Sequence, residues 1–336
     1  MVSVRFNPTV YFKISTLELK FYPMKKVFCV GELLIDFVGK GGHPSLSKTD
    51  QFLKKAGGAP ANVAAAVSRL GSQAYFVGAV GKDPFGNFLI ETLSQEGVAL
   101  HFLQQVPTFT TLAFVNLGAD GERDFVFSRG ADRELNYDPS LSDQLTNQIV
   151  HFGAATSFLG GNLENTYSRY LDEAIAKGAL ISFDPNYRHD LHRFDIEDFI
   201  QKSLHFISKA HLIKLSEEEA KLIANSNHLE EACRFLHKQT SATICITLGK
   251  EGTLLSLDTE HQIKVPTIPI KAIDTTGSGD AFIGCLLATL SKSDSTDNLK
   301  DESWMTKAVN VANKAGAFTA QNYGAIAALP KEKDLL

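Results

Sequence analysis

The stretch Asp274-Thr275-Thr276-Gly277-Ser278-Gly279-Asp280-Ala281-Phe282-Ile283-Gly284 sets three small residues and then an acid at the mouth of an apolar helical pattern that runs on through Leu290. Gly277 and Gly279 admit backbone angles closed to other residues, so successive amides can converge on one point. The amides and dipole of a helix N-terminus then hold an anion there. An acid would repel that anion, so Asp280 makes sense as a group serving something beside a phosphate, such as a hydroxyl awaiting deprotonation. Taken alone, the run is equally a Gly-rich turn whose Asp280 favours the helix dipole. The rest of the chain decides between the two.

Working outward, six short, nearly continuous apolar runs suit strands buried on both faces: Val27 to Gly31, Ala74 to Gly78, Ile149 to Gly153, Ala179 to Phe183, Leu212 to Leu215 and Thr243 to Thr247. Between them lie helical patterns over Ala61 to Leu70, Phe85 to Glu96, Asn165 to Lys177, Ile196 to Ala210, Glu217 to Ala224 and Leu229 to Gln239. This alternation predicts an α/β fold with a mainly parallel central sheet and helices on both faces. Ligands of such sheets bind at the carboxyl ends of the strands. Two segments break the rhythm, about residues 37–56 and 110–128. In the second, Leu112 to Leu117 and Arg123 to Phe127 flank the turn Gly118-Ala-Asp-Gly-Glu122, which is hairpin chemistry. They are expected to form a small β-sheet lid outside the main one, or else a surface hairpin with no moving part. Ser291 to Glu302 is polar and reads as a surface loop. Residues 1–23 have partial strand character over Val10 to Leu19 and read as an N-terminal extension ahead of a single domain at 24–330.

The 336 residues carry 44% apolar and 21% charged side chains with a formal charge of -5, which argues against nucleic acid as a partner. The basic residues are scattered, so no membrane patch is indicated either. Cys29, Cys233, Cys245 and Cys285 stand alone in apolar surroundings without paired spacing, which suits a reduced cytoplasm. No apolar run reaches the length of a membrane span. Small-molecule chemistry is the expectation.

Several motifs fall at the predicted carboxyl ends of strands. Asp36 follows the first strand, where a carboxylate can accept two sugar hydroxyls, or be merely solvated. Ala56-Gly57-Gly58-Ala-Pro-Ala-Asn62 opens a helix: its glycines allow close backbone approach to a ligand, and Asn62 offers a donor and an acceptor to a polyol. The plain alternative is a helix start with Pro60 in its first turn. Asp184-Pro-Asn186-Tyr-Arg188 offers Asn186 and Arg188, the latter suited to a moving phosphoryl group or to a surface ion pair. Ser216 and Glu219 make a regular capping box. Thr247-Leu-Gly249-Lys-Glu-Gly252 is a nucleotide wall or a tight turn. No Gly-x-x-x-x-Gly-Lys-Ser/Thr run exists, Gly277 to Phe282 lacks the third glycine of a dinucleotide fingerprint, and Arg188-His-Asp190 lacks the context of a protein-kinase loop.

Together these motifs resemble the PfkB (ribokinase-like) family of carbohydrate kinases over essentially the whole chain. One family signature looks like Gly57 to Gly71 with Val80 to Gly86, and the other is Asp274 to Gly284. The resemblance implies a ribokinase-like fold with Asp280 as general base and the amides of Gly277, Ser278 and Gly279 as an anion hole. Asp36, Gly57, Gly58, Asn62 and Arg129 would hold the sugar, and Arg188 would approach the phosphates. Asn186, Ser216, Glu219, Thr247, Gly249, Gly252, Asn313 and Gly316 would line the ATP site with Gly277 and Gly279. Asp274 and Thr276 sit where many relatives bind a monovalent cation such as K+. Glu219 would meet Mg2+ through water, although Ser216 stands where the family commonly has Asn.

Lys214-x-Ser216-x-x-Glu219, the Gly-Gly-Ala-Pro-Ala-Asn run and Gly121-Glu-Arg-Asp-Phe-Val-Phe127 resemble the fructokinase branch, whereas Arg129-Gly-Ala-Asp132 is shorter than the matching plant stretch. The implied reaction is ATP-dependent phosphorylation of fructose at its 6-hydroxyl. The alternatives are a kinase for 2-keto-3-deoxygluconate, ribose or a riboside, and a catalytically inactive sugar-binding regulator on the same fold. Homodimerisation through the lid is a further expectation, since exposed edge strands invite pairing.

Overall fold

The computed structural model describes residues 10–11, 22–40, 45–117, 123–293 and 295–335. Two two-residue strands come first, β1 (Val10–Tyr11) and β2 (Tyr22–Pro23), paired antiparallel. The rest of the N-terminal extension and the turn Gly118 to Glu122 lie outside the described residues.

The chain then alternates as its apolar runs dictate. β3 (Val27–Val30) is wholly buried. β4 (Leu34–Gly39) and β5 (Phe52–Gly57) leave the main sheet before α1 (Ala59–Arg69) returns to it. β6 (Ala74–Gly81), α2 (Pro84–Gln95) and β7 (Ala99–Val106) follow, with Asp83 capping α2 through the amides of Phe85 and Gly86. Next come β8 (Leu112–Leu117), β9 (Arg123–Ser128), the short α3 (Pro139–Ser142), β10 (Ile149–Gly153) and α4 (Asn162–Ala176). β11 (Leu180–Asp184), α5 (His189–His192), α6 (Ile196–Ile207) and β12 (Leu212–Ser216) continue the alternation. They lead into α7 (Glu217–Ala224), α8 (Leu229–Gln239) and β13 (Thr243–Thr247). A hairpin of β14 (Thr253–Ser256) and β15 (Gln262–Val265) precedes α9 (Ser278–Ser291) and α10 (Glu302–Ala320).

Nine strands form the main sheet in the order β15-β14-β13-β12-β11-β10-β3-β6-β7. Pairing is parallel from β13 to β7 and antiparallel only at β13–β14 and β14–β15. The order reverses between β3 and β10, so a crevice opens at the carboxyl ends of these strands, where such sheets bind ligands. One core lies on each face. Ala-rich α1 and the apolar α9 and α10 cover one side, while Phe152, Phe158, Tyr167, Phe183 and Phe206 pack the other.

The two irregular segments pair as expected, into a separate sheet of order β5-β4-β8-β9. Alternation puts successive side chains on opposite faces. Phe37 therefore stacks on Phe114 at 5.1 Å and meets Phe85 of α2 edge-on at 5.6 Å, which seats the lid on the body. Its neighbour Asp36 faces the other way, into the crevice. The apolar-run criterion passes over β7, β14, β15 and the amphipathic α10, and the loop after Ser291 holds a 3-10 turn at Thr296–Lys300.

Candidate active site

The site is built where α1 crosses α9. A Cβ on Gly284 would lie 2.5 Å from that of Ala66, so only glycine lets the two helices approach this closely. Residues four apart share a helix face, so Asn62 and Asp280 meet one turn nearer both N-termini. Asn62 Nδ2 donates to Asp280 Oδ2 at 2.8 Å, and both side chains are buried. Burial pushes Asp280 up to about 6; Asp184 adds to this, while the Asn62 hydrogen bond, Lys214 and Arg188 oppose it. A carboxylate poised near neutrality suits a proton acceptor.

Asp36 reaches the same space from the lid, in register with Lys55 of β5 and Ala113 of β8. Burial pushes it also up to about 6, Arg188 and Lys55 pull it down, and Asp280 pushes it up. The two carboxylates thus sense each other across the crevice. Gly57 leaves room for Asp36 here, since a Cβ would fall 2.1 Å from Asp36 Oδ2 and push that side chain aside. Asn62 Oδ1 is fully buried with no protein partner, an acceptor left over beside carboxylate oxygens. Such a lining suits a polyol.

The anion cradle lies at the start of α9, with Gly277 as N-cap at φ 77°. Amides in a first helical turn ordinarily lack a carbonyl one turn back, but the Ser278 amide bonds the Thr275 carbonyl at 3.2 Å and is not free for an anion in this structure. Ser278 Oγ is buried there without a partner, a hydroxyl that fits a phosphate group. Lys214 of β12 lies beneath it: its ammonium stands 3.0 Å from where a Gly279 Cβ would be and 3.0 Å from Asp184 Oδ2. Burial works against that charge, yet Asp184, Glu219 and Asp280 outweigh it and hold Lys214 above the ordinary lysine value.

The remaining predicted residues divide. Asp274 closes the loop by accepting from the amides of Thr276 at 3.0 Å and Gly324 at 2.9 Å. Burial opposes its ionised form, but these bonds and Lys55 hold its carboxyl below the ordinary range, a charge state that fits a cation. Arg188 is exposed and its charge reaches Asp36, Asp280 and Glu32. Asn186, at φ 49°, folds back on Asp184 through its own amide and Nδ2. Glu219 spends both oxygens on backbone, accepting from Ser216 N at 2.7 Å and Tyr187 N at 2.8 Å, so the capping box is fully formed. Arg129 braces the scaffold: it pairs with buried Asp132 at 3.2 Å and donates to the carbonyls of Leu159 and Thr156.

Thr247 ends β13, and Gly249 and Gly252 follow it. Asn313 ties α10 to β14 and β15 through Thr253 Oγ1 at 2.7 Å and the Val265 carbonyl at 3.0 Å. Gly316 packs beside the Ser278 carbonyl. Among the described residues, four buried acids and lysines carry no role in the sequence analysis: Glu32, Asp132, Asp184 and Lys214. For all but Asp132 the available signal was an ionisable residue inside or directly after a continuous apolar run, a position that is costly unless paired.

A family model described as pfkB family carbohydrate kinase matches residues 24–332. Fructokinase-1 of Zea mays is 37% identical to this chain over 318 residues, 92% of this chain and 96% of that protein. The crystal structure of fructokinase with bound ATP from Xylella fastidiosa superposes with a TM-score of 0.80 at 30% identity, covering 93% of this chain and 97% of that one. A double mutant of fructokinase from Vibrio cholerae O395, in fructose, ADP and potassium ion bound form, gives 0.80 at 28% identity over 93% and 97%.

Proposed function

The chain belongs to the pfkB family of carbohydrate kinases, and we propose that it phosphorylates fructose at the 6-hydroxyl with Asp280 as general base. The observation that carries this reading is the 2.8 Å bond from Asn62 to Asp280, which holds a partly protonatable carboxylate between the proposed phosphate cradle and a pocket suited to a polyol. In the proposed reaction the sugar lies on Asp36, Asn62 and the Gly57–Gly58 backbone beneath the lid. Asp280 takes the proton of the 6-hydroxyl as its oxygen bonds to the γ-phosphorus of ATP. The bond from that phosphorus to the bridging oxygen breaks, and ADP leaves. The cradle amides of Gly277 and Gly279, and that of Ser278 once it leaves the Thr275 carbonyl, meet charge developing on the moving phosphoryl group, with Arg188 approaching it from the crevice mouth.

Lid closure over the sugar excludes water that would otherwise compete as acceptor. Mg2+ would screen the phosphate charge. It typically binds through one or two carboxylates, phosphates and water, and Glu219 would meet it through water. Asp274 and Thr276 are proposed to border a K+ site, as a relative holding potassium suggests. The nucleotide would lie over Asn186, Ser216, Glu219, Thr247, Gly249, Gly252, Asn313 and Gly316.

The family match beginning at Met24 supports a kinase domain at about 24–330 with residues 1–23 as an extension. Val126, 52% exposed on edge strand β9, supports pairing of two lid sheets in a homodimer, which sedimentation would test. No helix among the described residues is long and apolar enough to cross a membrane.

The deciding experiment is ADP release with Mg-ATP against fructose, glucose, mannose, ribose, 2-keto-3-deoxygluconate and fructose 6-phosphate, each set against a no-sugar blank. Preference for fructose is the expected outcome. Preference for another sugar would overturn the substrate while keeping the kinase, and no turnover together with tight sugar binding would favour an inactive sugar-binding protein.

A further inference from the structure

Helix α1 begins on Gly58, which has no side chain with which to cap it. The cap comes from the preceding strand. Glu32, 1% exposed and two residues past β3, accepts a hydrogen bond from the Ala59 amide at 3.0 Å through Oε1. Pro60 has no N–H to satisfy, and the Asn62 amide already bonds the Gly58 carbonyl at 2.9 Å. Gly58 also sits directly against the Glu32 backbone, where a Cβ would fall 2.4 Å from the Glu32 carbonyl oxygen. Glu32 therefore grips the start of α1 with both main chain and side chain. The turn it grips carries Asn62, which holds Asp280.

We propose that Glu32 is a positioning residue for phosphoryl transfer: a buried, neutral carboxylic acid that caps α1 in trans and so fixes Asn62 against Asp280. The inference deepens, and rests on, the reading of Asp280 as the base. Geometry favours the neutral form over the charged one, because Glu32 Oε2 is fully buried without a hydrogen-bond partner. An unpaired neutral oxygen in a dry interior costs less than a half-paired carboxylate. The groups facing it are Asp132 from the 3-10 turn after β9, Tyr167 from α4 and Arg188 at the start of α5.

Burial pushes Glu32 up to about 8 against the pull of its own and the Ala59 amide; Asp132 pushes it further up and Arg188 opposes. Tyr167 is driven well above its ordinary value by burial and by Glu32 and Asp184, so it stays neutral while Glu32 titrates. Ionising Glu32 places a half-paired charge under α1, and relief requires the first turn, with Asn62, to shift. The linkage sign follows. The unfolded chain releases this proton near 4.5 and the folded one near 8, so the group erodes stability as pH rises between those values.

Glu32→Gln keeps the acceptor for Ala59 and cannot ionise, whereas Glu32→Leu removes the cap. The experiment follows kcat/KM for the preferred sugar from about pH 5.5 to 9.5 in the wild type and both variants, with melting curves over the same range. The wild type is expected to lose about tenfold per pH unit above its alkaline limb, as a single ionisation requires. Glu32→Gln should lack that limb and exceed Glu32→Leu at least about tenfold at neutral pH. Its melting temperature should gain on the wild type as pH rises from about 4.5 to about 8. A shared alkaline limb in wild type and Glu32→Gln, or a melting difference that does not change with pH, overturns the proposal. If Glu32→Leu does not fold, the comparison of wild type with Glu32→Gln still decides. If no sugar is turned over, the kinase reading fails on its own, and the melting comparison alone tests Glu32.

Discussion

Asn62 and Asp280, 218 positions apart in the chain, are joined by one 2.8 Å hydrogen bond because Gly284 and Ala66 let their helices touch. That bond couples the first turn of α1 to the first turn of α9. Whatever moves α1 relative to α9 moves Asp280, the proposed proton acceptor.

The direct consequence concerns Asp280→Asn. A positioned base contributes roughly 10^2 to 10^4 in rate, so kcat should fall by about that factor. The fold should survive, because Asn Oδ1 still accepts from Asn62. Asp280 ionises at about 6 in the folded chain against 3.8 ordinarily, so it lowers stability as pH rises between those values and the penalty is complete above about 6. At pH 7.5 or so the variant should melt at or above the wild-type temperature. Turnover near the wild-type rate would remove Asp280 from the mechanism.

Asn62→Leu tests the other end of the bond. The Asn62 donor favours the Asp280 carboxylate, so its loss should raise Asp280 further. Rate that depends on ionised Asp280 rises with pH through about 6 in the wild type. The acid limb of kcat should therefore move to higher pH in the variant, measured as full pH profiles at saturating sugar. A limb that stays in place would mean that Asn62 does not set the base.

Lys214 and Asp184 make a buried pair at 3.0 Å directly under the cradle. Removing one partner of such a pair typically costs about 3–5 kcal/mol because the other charge is left uncompensated. Lys214→Met should be destabilised on that scale in urea unfolding, and the double variant with Asp184→Asn should recover part of the loss. An additive double variant would show that the two charges are not coupled.

The alternating architecture was legible because buried parallel strands read as continuous apolar runs, and Val27–Val30, Ile149–Gly153 and Thr243–Thr247 are such runs. The antiparallel edge was not. Strand β15, Gln262–Val265, is only partly buried, so its sequence carries no apolar block. Asp280 and the glycines were legible from local chemistry. Glu32 and Lys214 were not, because their meaning lies in partners brought together by the fold, Ala59 for one and Asp184 for the other. Ser216 and Glu219 illustrate the converse: a complete local signature, the capping box, whose bonds are satisfied within the backbone.

Gly57→Ala tests the proposed sugar contact of Asp36 apart from the chemical step. A methyl group there would fall 2.1 Å from Asp36 Oδ2, inside any tolerable contact, and the atom it meets is the end of a side chain that can rotate away. Gly57→Ala should therefore displace the Asp36 carboxylate from the pocket without dismantling the lid, whose Phe37, Phe114 and Phe85 contacts lie on the opposite face. Overpacking of this kind costs about 1–3 kcal/mol. If a cost of that size falls on ground-state contact with the sugar, where each 1.4 kcal/mol is about tenfold in affinity, KM for fructose should rise about 5- to 150-fold with kcat changed much less. Steady-state kinetics read the split directly. An equal fall in kcat with KM unchanged would instead place Asp36 with the transition state, and an unchanged KM would remove it from the sugar pocket.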